Sequence, residues 1–457
     1  MHLLFLDQLA LPPGILLEWS VGAEPGPAPG PIPPTANQCI HLAGGRPTTW
    51  LAAAFDVPGP IDEAALQAAF GAWLPRHDAL HCSFSAPGPG GSPILNLVSD
   101  SDLRITARPP VLAATDHALR ELLGARLDAA CEPFSFPPYF LGAVSRAENS
   151  TVICGFDHAV CDAWSIALAV TELDRLYRTA REDGSGTVAE AAGELPEAGS
   201  FLSYCTREAA VPAAITDPLV PAWRDFLRTT GNDLPHFPID LGVPDGTLAP
   251  PAADVRTLLG AGGIAVLHRA ARAAGHSTFP VLLAAVAQAV AKLGGRDHTD
   301  LVFPVHIRRE PRNHNTFGWL VANAPARIPV EGDLAAAVPG AAAAVRAGRR
   351  LARVPATRVL DAAQGQLRGA RHGLFSVSYA DYRQLPGGSR GDTVLPLPRN
   401  AIQISRATPV DDVQLWFTRT DDGLALRTRF PGTAVARNVV GEFLDVLGDL
   451  VHAAARP

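Results

Sequence analysis

The sequence predicts an α/β protein of two domains, and three observations carry that reading. The chain has 457 residues, too many for one ordinary core. It is 47% hydrophobic and 18% charged, the composition of a chain that folds around cores. Strand-patterned and helix-patterned segments alternate on both sides of residues 181–200, "REDGSGTVAEAAGELPEAGS", a polar, Gly-containing stretch without clear periodicity. That stretch is the linker candidate. The division expected is an N-terminal domain over 1–185, a linker over 186–215 and a C-terminal domain over 216–457.

Taken in order, the elements begin with residues 21–36, "VGAEPGPAPGPIPPTA", whose prolines suit an extended lead-in; regular structure is expected only after it. "TWLAAAFDV" (49–57) reads as a strand buried on both faces. "PIDEAALQAAFGAWLPRHD" reads as a helix, with Asp62 as N-cap and Ala65, Leu66, Ala69, Phe70 and Trp73 as its apolar stripe. "ALHCSF" (79–84) returns as a strand, and "DHALRELLGARLDAAC" (116–131) is an amphipathic helix. "STVICGFDHAV" (150–160) is an apolar strand. "DAWSIALAVTELDRLYRTA" (162–180) is a long helix, with Ile166, Val170, Leu173 and Tyr177 at helical spacing. In the second half, 277–294 and 357–367 read as helices, and 300–307, 374–381 and 413–419 as strands. A closing helix covers 435–455.

Composition excludes several function classes. A net charge of -7, without an arginine cluster interleaved with aromatics, argues against nucleic acid as a partner. The six cysteines, at 39, 82, 131, 154, 161 and 205, include no C-x-x-C pair, and buried reduced thiols are expected. The apolar start "MHLLFLDQLALPPG" contains Asp7 and has no basic leader, so a signal peptide is not expected. "PVLLAAVAQAVAKLGG" is broken by Gln288 and Lys292 and is too short to span a bilayer. A cytoplasmic monomer without a transmembrane segment is the expectation. "PGPGGSP" (87–93) lacks the Lys-Ser/Thr ending of a phosphate loop and reads as a turn. His298, His306 and His314 stand near one another at spacings that match no usual metal motif, so no metal is expected.

One stretch carries chemistry. "FDHAVCDAW", 156–164, places His158 and Asp162 four residues apart where an apolar strand gives way to a helix. A neutral imidazole is a good base near pH 7. It needs a partner that fixes its tautomer, and a carboxylate across a tight turn can contact the ring or brace the loop. A histidine at a strand end also serves often as a purely structural group, and spacing alone leaves both readings open.

The surroundings add to this. "DHAVCDAW" resembles the HHxxxDG motif of the condensation-domain superfamily of acyltransferases, which includes nonribosomal-peptide condensation domains, chloramphenicol acetyltransferase and polyketide-associated acyltransferases. Further segments resemble that family in the right order. "LPRHDALHCSF" (74–84) is similar to its R-H-E-x-L-R-x-x-F segment, and "CEPFSFPPYFLGAV" (131–144) to its P-F-D-L-x-x-x-P-L stretch. "FPVHIRRE" (303–310) stands where the family has a strand ending in arginine, and "FGWLVANAPARIPV" (317–330) resembles G-x-F-V-N-x-x-P-x-R. "GNDLPHFPIDLG" (231–242) and the Arg308-Arg309 pair most resemble the polyketide-associated branch that acylates trehalose lipids. Two positions depart from the motif: its first histidine is Asp157 here, and its glycine is Ala163.

The resemblance implies two chloramphenicol-acetyltransferase-like α/β domains in a V with a central tunnel. It makes His158 the general base, or the residue that orients the nucleophile, and gives Asp162 a structural part in the catalytic loop, paired to an arginine of the second domain, for which Arg308 is the candidate. Gly318 and Trp319 would shape the site, and Trp164, Ser165 and Asn323 would line the tunnel. Asp157 is expected either to bring a negative charge near the imidazole, which would favour its protonated form, or to point away from it. Ala163 implies a turn with no need for positive φ at that position. No tightly bound cofactor is implied. The donor would be a thioester of coenzyme A or of a phosphopantetheine-bearing acyl or peptidyl carrier protein. The acceptor would be a small-molecule alcohol or amine. A free-standing condensation enzyme that forms an amide or ester on carrier-bound substrates, and a noncatalytic carrier-binding member, remain alternatives.

Overall fold

The computed structural model describes every residue except 24–31, 43–48, 87–92, 212–218, 295, 356–358, 360–371, 392–394 and 457. The strands, in chain order, are β1 (His2–Phe5), β2 (Gly14–Gly22), β3 (Trp50–Pro58), β4 (Cys82–Ser85), β5 (Ile94–Leu97), β6 (Arg104–Ala107), β7 (Val111–Ala113), β8 (Tyr139–Ser145), β9 (Asn149–Asp157), β10 (Pro251–Gly260), β11 (His298–His306), β12 (Val321–Pro329), β13 (Ser376–Asp381), β14 (Ile402–Ser405), β15 (Gln414–Arg419) and β16 (Gly423–Pro431). The helices are α1 (Ala36–Leu42), α2 (Glu63–Trp73), α3 (Asp116–Ala130), α4 (Ala163–Asp183), α5 (Val188–Glu194), α6 (Phe201–Ala210), α7 (Leu219–Thr229), α8 (Ala261–Ala273), α9 (Thr278–Gly294), α10 (Leu334–Leu351) and α11 (Ala434–Ala454).

The chain forms two compact units. Unit 1 holds Met1–Pro212, His306–Val321 and Arg383–Arg406; unit 2 holds Ala213–Val305, Ala322–Tyr382 and Ala407–Pro457. This division differs from a cut at one linker over 186–215, because two later segments pack with unit 1. The polar stretch 181–200 is no bare linker either. It contains α5, whose Val188, Ala191 and Ala192 are buried in the unit 1 core. Three small apolar residues among charges give too short a stripe for periodicity to register.

Unit 1 is built on a mixed eight-stranded sheet in the order β1-β14-β3-β9-β8-β2-β6, with β7 beside β2. Regular structure therefore starts at His2, before the Pro-rich stretch and not after it. β1 is four residues long and gains its place by parallel pairing with Ile402–Ser405, a partner that local pattern cannot announce. β3 is buried on both faces, as its unbroken apolar run predicts. Leu51, Ala53 and Phe55 join the core beneath α2 and α4, whereas Trp50, Ala52 and Ala54 join a second core with Leu119, Leu123 and Leu127 of α3. Asp62 caps α2, accepting from Ala65 N–H, and the stripe Ala65, Leu66, Ala69, Phe70 and Trp73 is buried. "ALHCSF" is only partly strand, since Asp78–His81 forms a 3-10 turn before β4.

The charged "PRHD" of that segment is architectural. Arg76 donates to the carbonyls of Ala192 and Pro196, and with His77 it engages Glu172 of α4 at 3.2 and 2.7 Å. Asp78 accepts from Phe201 N–H and Ser200 Oγ at the start of α6. Burial raises the Glu172 pKa, but His77 and Arg76 outweigh it, and the carboxyl lies below its usual range.

Unit 2 has a six-stranded sheet in the order β10-β16-β15-β13-β11-β12. Leu415, Phe417, Leu424 and Leu426 on that sheet pack with buried residues of α8, α9, α10 and α11. The expected helix over 357–367 and the turn over 87–93 lie, for the most part, outside the described residues. Five of the six cysteines are buried and Cys39 is half-buried; all are free thiols. Among the described residues no single helix is long and apolar enough to cross a membrane.

Candidate active site

The polar pair sits where β9 hands over to α4. β9 pairs antiparallel with β3 so that Asp157 faces Trp50, and His158 follows with its N–H on Thr49 O at 2.8 Å. Val160 N–H donates to Asp157 O at 3.0 Å and closes the turn. Asp162 is the N-cap of α4, and Ala163 is the first helical residue, so the motif's glycine is not needed for a positive φ there.

His158 Nδ1 lies 2.9 Å from Cys161 O. A carbonyl can only accept, so Nδ1 carries the proton and Nε2 keeps its lone pair. The Trp319 indole stacks on the ring, with centroids 4.1 Å apart and planes at 29°. The pKa of His158 is lowered, first by burial and then by the neighbouring His41, against weaker opposing contributions from the Cys161 carbonyl and Asp157. Burial pushes the Cys161 and Cys131 thiols well up, which keeps both neutral.

Asp162 turns to a different partner. Its carboxylate takes a bidentate contact from Arg308, at 2.6 and 2.9 Å, together with Ser165 N–H at 2.9 Å and Leu320 N–H at 3.0 Å. Arg308 is 2% exposed and spends its remaining donors on the carbonyls of Thr316 and Gly318. Burial raises the Asp162 pKa, but the Arg308 charge and these hydrogen bonds outweigh it and hold the carboxyl below its usual range. Arg308 belongs to the 306–321 segment and so to the same unit as Asp162, rather than to a second domain.

The other expected site residues fall as follows. Gly318 has φ +149°, and a Cβ there would lie 2.3 Å from the Phe201 ring, so glycine is required twice over. Ser165 does not line an open surface: it is fully buried, and its hydroxyl accepts from Gly318 N–H within the Asp162–Arg308 network. Trp164 is half-buried, donates Nε1–H to His314 O at 2.8 Å and stacks on His306. Asn323 is a residue of β12 in unit 2. Asp157 does act to raise the basicity of His158, but more weakly than burial and His41 act to lower it. Its carboxylate meets His41 Nε2 at 3.1 Å and Ala159 N–H at 2.7 Å, and the net shift of His158 is downward.

His41 is the site residue that sequence reasoning missed. It comes from α1, a seven-residue helix beyond the Pro-rich lead-in, with 116 positions between it and its partner. No local spacing links the two. The letters G-x-S-x-G do occur, at Gly387–Gly391, but in a run of turns after the Tyr382–Gln384 3-10 turn and not on a strand-to-helix elbow.

A family model described as "Condensation domain" matches residues 41–380. The chain is 26% identical over 408 residues to "Acyltransferase PapA3" of Mycobacterium tuberculosis, covering 87% of this chain and 82% of the relative. It is 25% identical over 456 residues to "Trehalose-2-sulfate acyltransferase PapA2" of Mycobacterium bovis, covering 94% and 92%. Among solved structures, "PapA2 acyl transferase" superposes with a TM-score of 0.85 at 22% identity, covering all of both chains. The first condensation domain of the CDA synthetase superposes with a TM-score of 0.68 at 18% identity, covering 95% and 98%. The fold is the α/β fold of these proteins.

Proposed function

The chain belongs to the condensation-domain family and is an acyltransferase, and from that premise we propose that it moves an acyl group from a thioester to a hydroxyl, with His158 as general base. The observation that carries this reading is the orientation of His158. With Nδ1–H committed to the Cys161 carbonyl, Nε2 is the basic nitrogen, and the lowered pKa keeps it unprotonated near neutral pH.

In this mechanism Nε2 takes the proton of the acceptor hydroxyl as the oxygen attacks the thioester carbonyl. A tetrahedral intermediate forms and collapses. The C–S bond breaks, and the imidazolium returns its proton to the departing thiolate. No acyl-enzyme is needed, and no serine or cysteine serves as nucleophile. Asp162 does not touch the ring's nitrogens. Locked to Arg308, it caps α4 and fixes the turn on which His158 stands. The thiol carrier is coenzyme A or the phosphopantetheine arm of a carrier protein. The relatives whose names specify trehalose sulfate acceptors support a sugar hydroxyl, of the trehalose type, as the acceptor.

The test is thiol release from an acyl-CoA in the presence of trehalose 2-sulfate, of unmodified trehalose and of an amine acceptor. His158→Ala is expected to lower turnover by about 100-fold or more. In the wild type, activity falls as pH drops through the lowered His158 pKa, so the acid limb of kcat/KM lies below 6.5. Near-normal turnover in His158→Ala would remove the base role. Transfer to the amine alone would favour the amide-forming reading.

A further inference from the structure

A buried carboxylate next to a catalytic imidazole is a hazard for a base, because a negative neighbour draws a proton onto the ring. Asp157 is fully buried and immediately precedes His158 in the chain. Its two oxygens nevertheless have other partners: Ala159 N–H at 2.7 Å, and His41 Nε2 at 3.1 and 3.4 Å. His41 also stands edge-on to Trp319, with centroids 5.7 Å apart, and Trp319 is the ring stacked on His158. One imidazole thus touches both the carboxylate and the aromatic wall of the base.

The helix that brings His41 is anchored on both sides of the site. Gln38, fully buried, donates Nε2–H to the carbonyl of Ala159, the residue after His158, at 2.8 Å. Asn37 donates to Val321 O at 2.6 Å, two residues beyond Trp319. Ala36 N–H is held by Glu208 of α6 at 2.6 Å. Three consecutive residues of α1 are therefore tied down so that the next turn delivers His41 to Asp157.

Resting on the reading of His158 as the base, we infer that His41 and Asp157 act as a positioning pair: His41 engages the Asp157 carboxylate, keeps its charge from protonating His158, and braces the Trp319 face of that ring. Asp157 stands at the sequence position of the motif's first histidine, and the imidazole that meets it comes from α1. The titratable groups acting on His158 are His41 from α1 and Asp157 at the end of β9. Asp162 is neutralised by Arg308, and the Cys161 and Cys131 thiols are neutral.

The experiment is a histidine NMR titration of the full chain, with the His158 signal assigned by its loss in His158→Gln, alongside kcat/KM against pH. His41→Ala is expected to raise the His158 titration by about half a unit to one unit, because the carboxylate then acts on His158 alone. Asp157→Asn, which keeps the shape and removes the charge, is expected to lower it, and the double variant to fall between the two. The Asp157→Asn arm decides the matter if His41→Ala does not fold. A His158 titration that stays at the wild-type value in both single variants overturns the inference. If the NMR titration moves while the acid limb of kcat/KM does not, the pair stands and the base role of His158 falls.

Discussion

At the residue scale, Arg308 has the most to lose. Removing one partner of a buried ion pair leaves the other charge desolvated and unpaired, at a cost of about 3–5 kcal/mol. Asp162 is 4% exposed and would retain only its backbone and Ser165 donors. Arg308→Ala is therefore expected to lower stability by about that amount, seen as a fall in the urea midpoint. Arg308→Lys should recover only part of the loss, since one ammonium cannot reproduce the bidentate fork. The pH dependence has a fixed sign. A carboxyl held below its ordinary value of 3.8 contributes stability that is present above that value and disappears as pH falls through the folded-state pKa. In Arg308→Ala burial is no longer outweighed by the guanidinium, so this acid-side loss should shrink and the stability gap between variant and wild type should narrow as pH falls. The family pattern made His158, Asp162 and Arg308 legible in the sequence. His41 was not, because its contacts with the site span long stretches of chain, 116 positions in the case of Asp157.

Whole elements were legible where burial is one-sided or complete. The α4 stripe of Ile166, Val170, Leu173 and Tyr177 is fully buried, each such side chain contributing about 1.5–3 kcal/mol, and its 3.6-residue period is plain in the sequence. α5 was invisible because its buried face is two alanines and a valine. The segment 306–321 is the informative intermediate case. Its letters were recognisable, but its role as the tie between Arg308, α4 and α6 follows only from Gly318. A Gly318→Ala variant must accommodate both φ +149° and a Cβ 2.3 Å from Phe201. It is expected to lose about 1–3 kcal/mol, from overpacking alone, with a parallel fall in turnover as the Trp319 stack on His158 is displaced. Removing the clash with Phe201→Leu in the same chain should give a loss smaller than the sum of the two single changes. Additive losses in the urea midpoints would show that Gly318 does not hold the segment against α6.

For the whole molecule, the chain order and the packing order disagree, and that disagreement makes a prediction. β14, from residues 402–405, lies between β1 and β3 in the unit 1 sheet, pairing parallel with one and antiparallel with the other. A fragment of residues 1–212 keeps β1 and β3 but loses the strand that joins them. The edge of β3 is then a nine-residue apolar strand with open backbone groups, a template for association with other chains. The same fragment lacks Arg308, so Asp162 is left buried without its counter-charge at the start of α4. Leu51, Ala53 and Phe55 would lose Phe317 and Leu320 from the core they share. The fragment is expected to aggregate, or to remain in solution without a cooperative urea transition, whereas the full chain unfolds cooperatively. A monomeric 1–212 fragment with a sharp transition would mean that β14 and the 306–321 segment decorate unit 1 and do not complete it. In that case the placement of His158 opposite Trp319 would depend on docking a segment onto a preformed body, and the stability of the turn and the activity of the base would become separable properties.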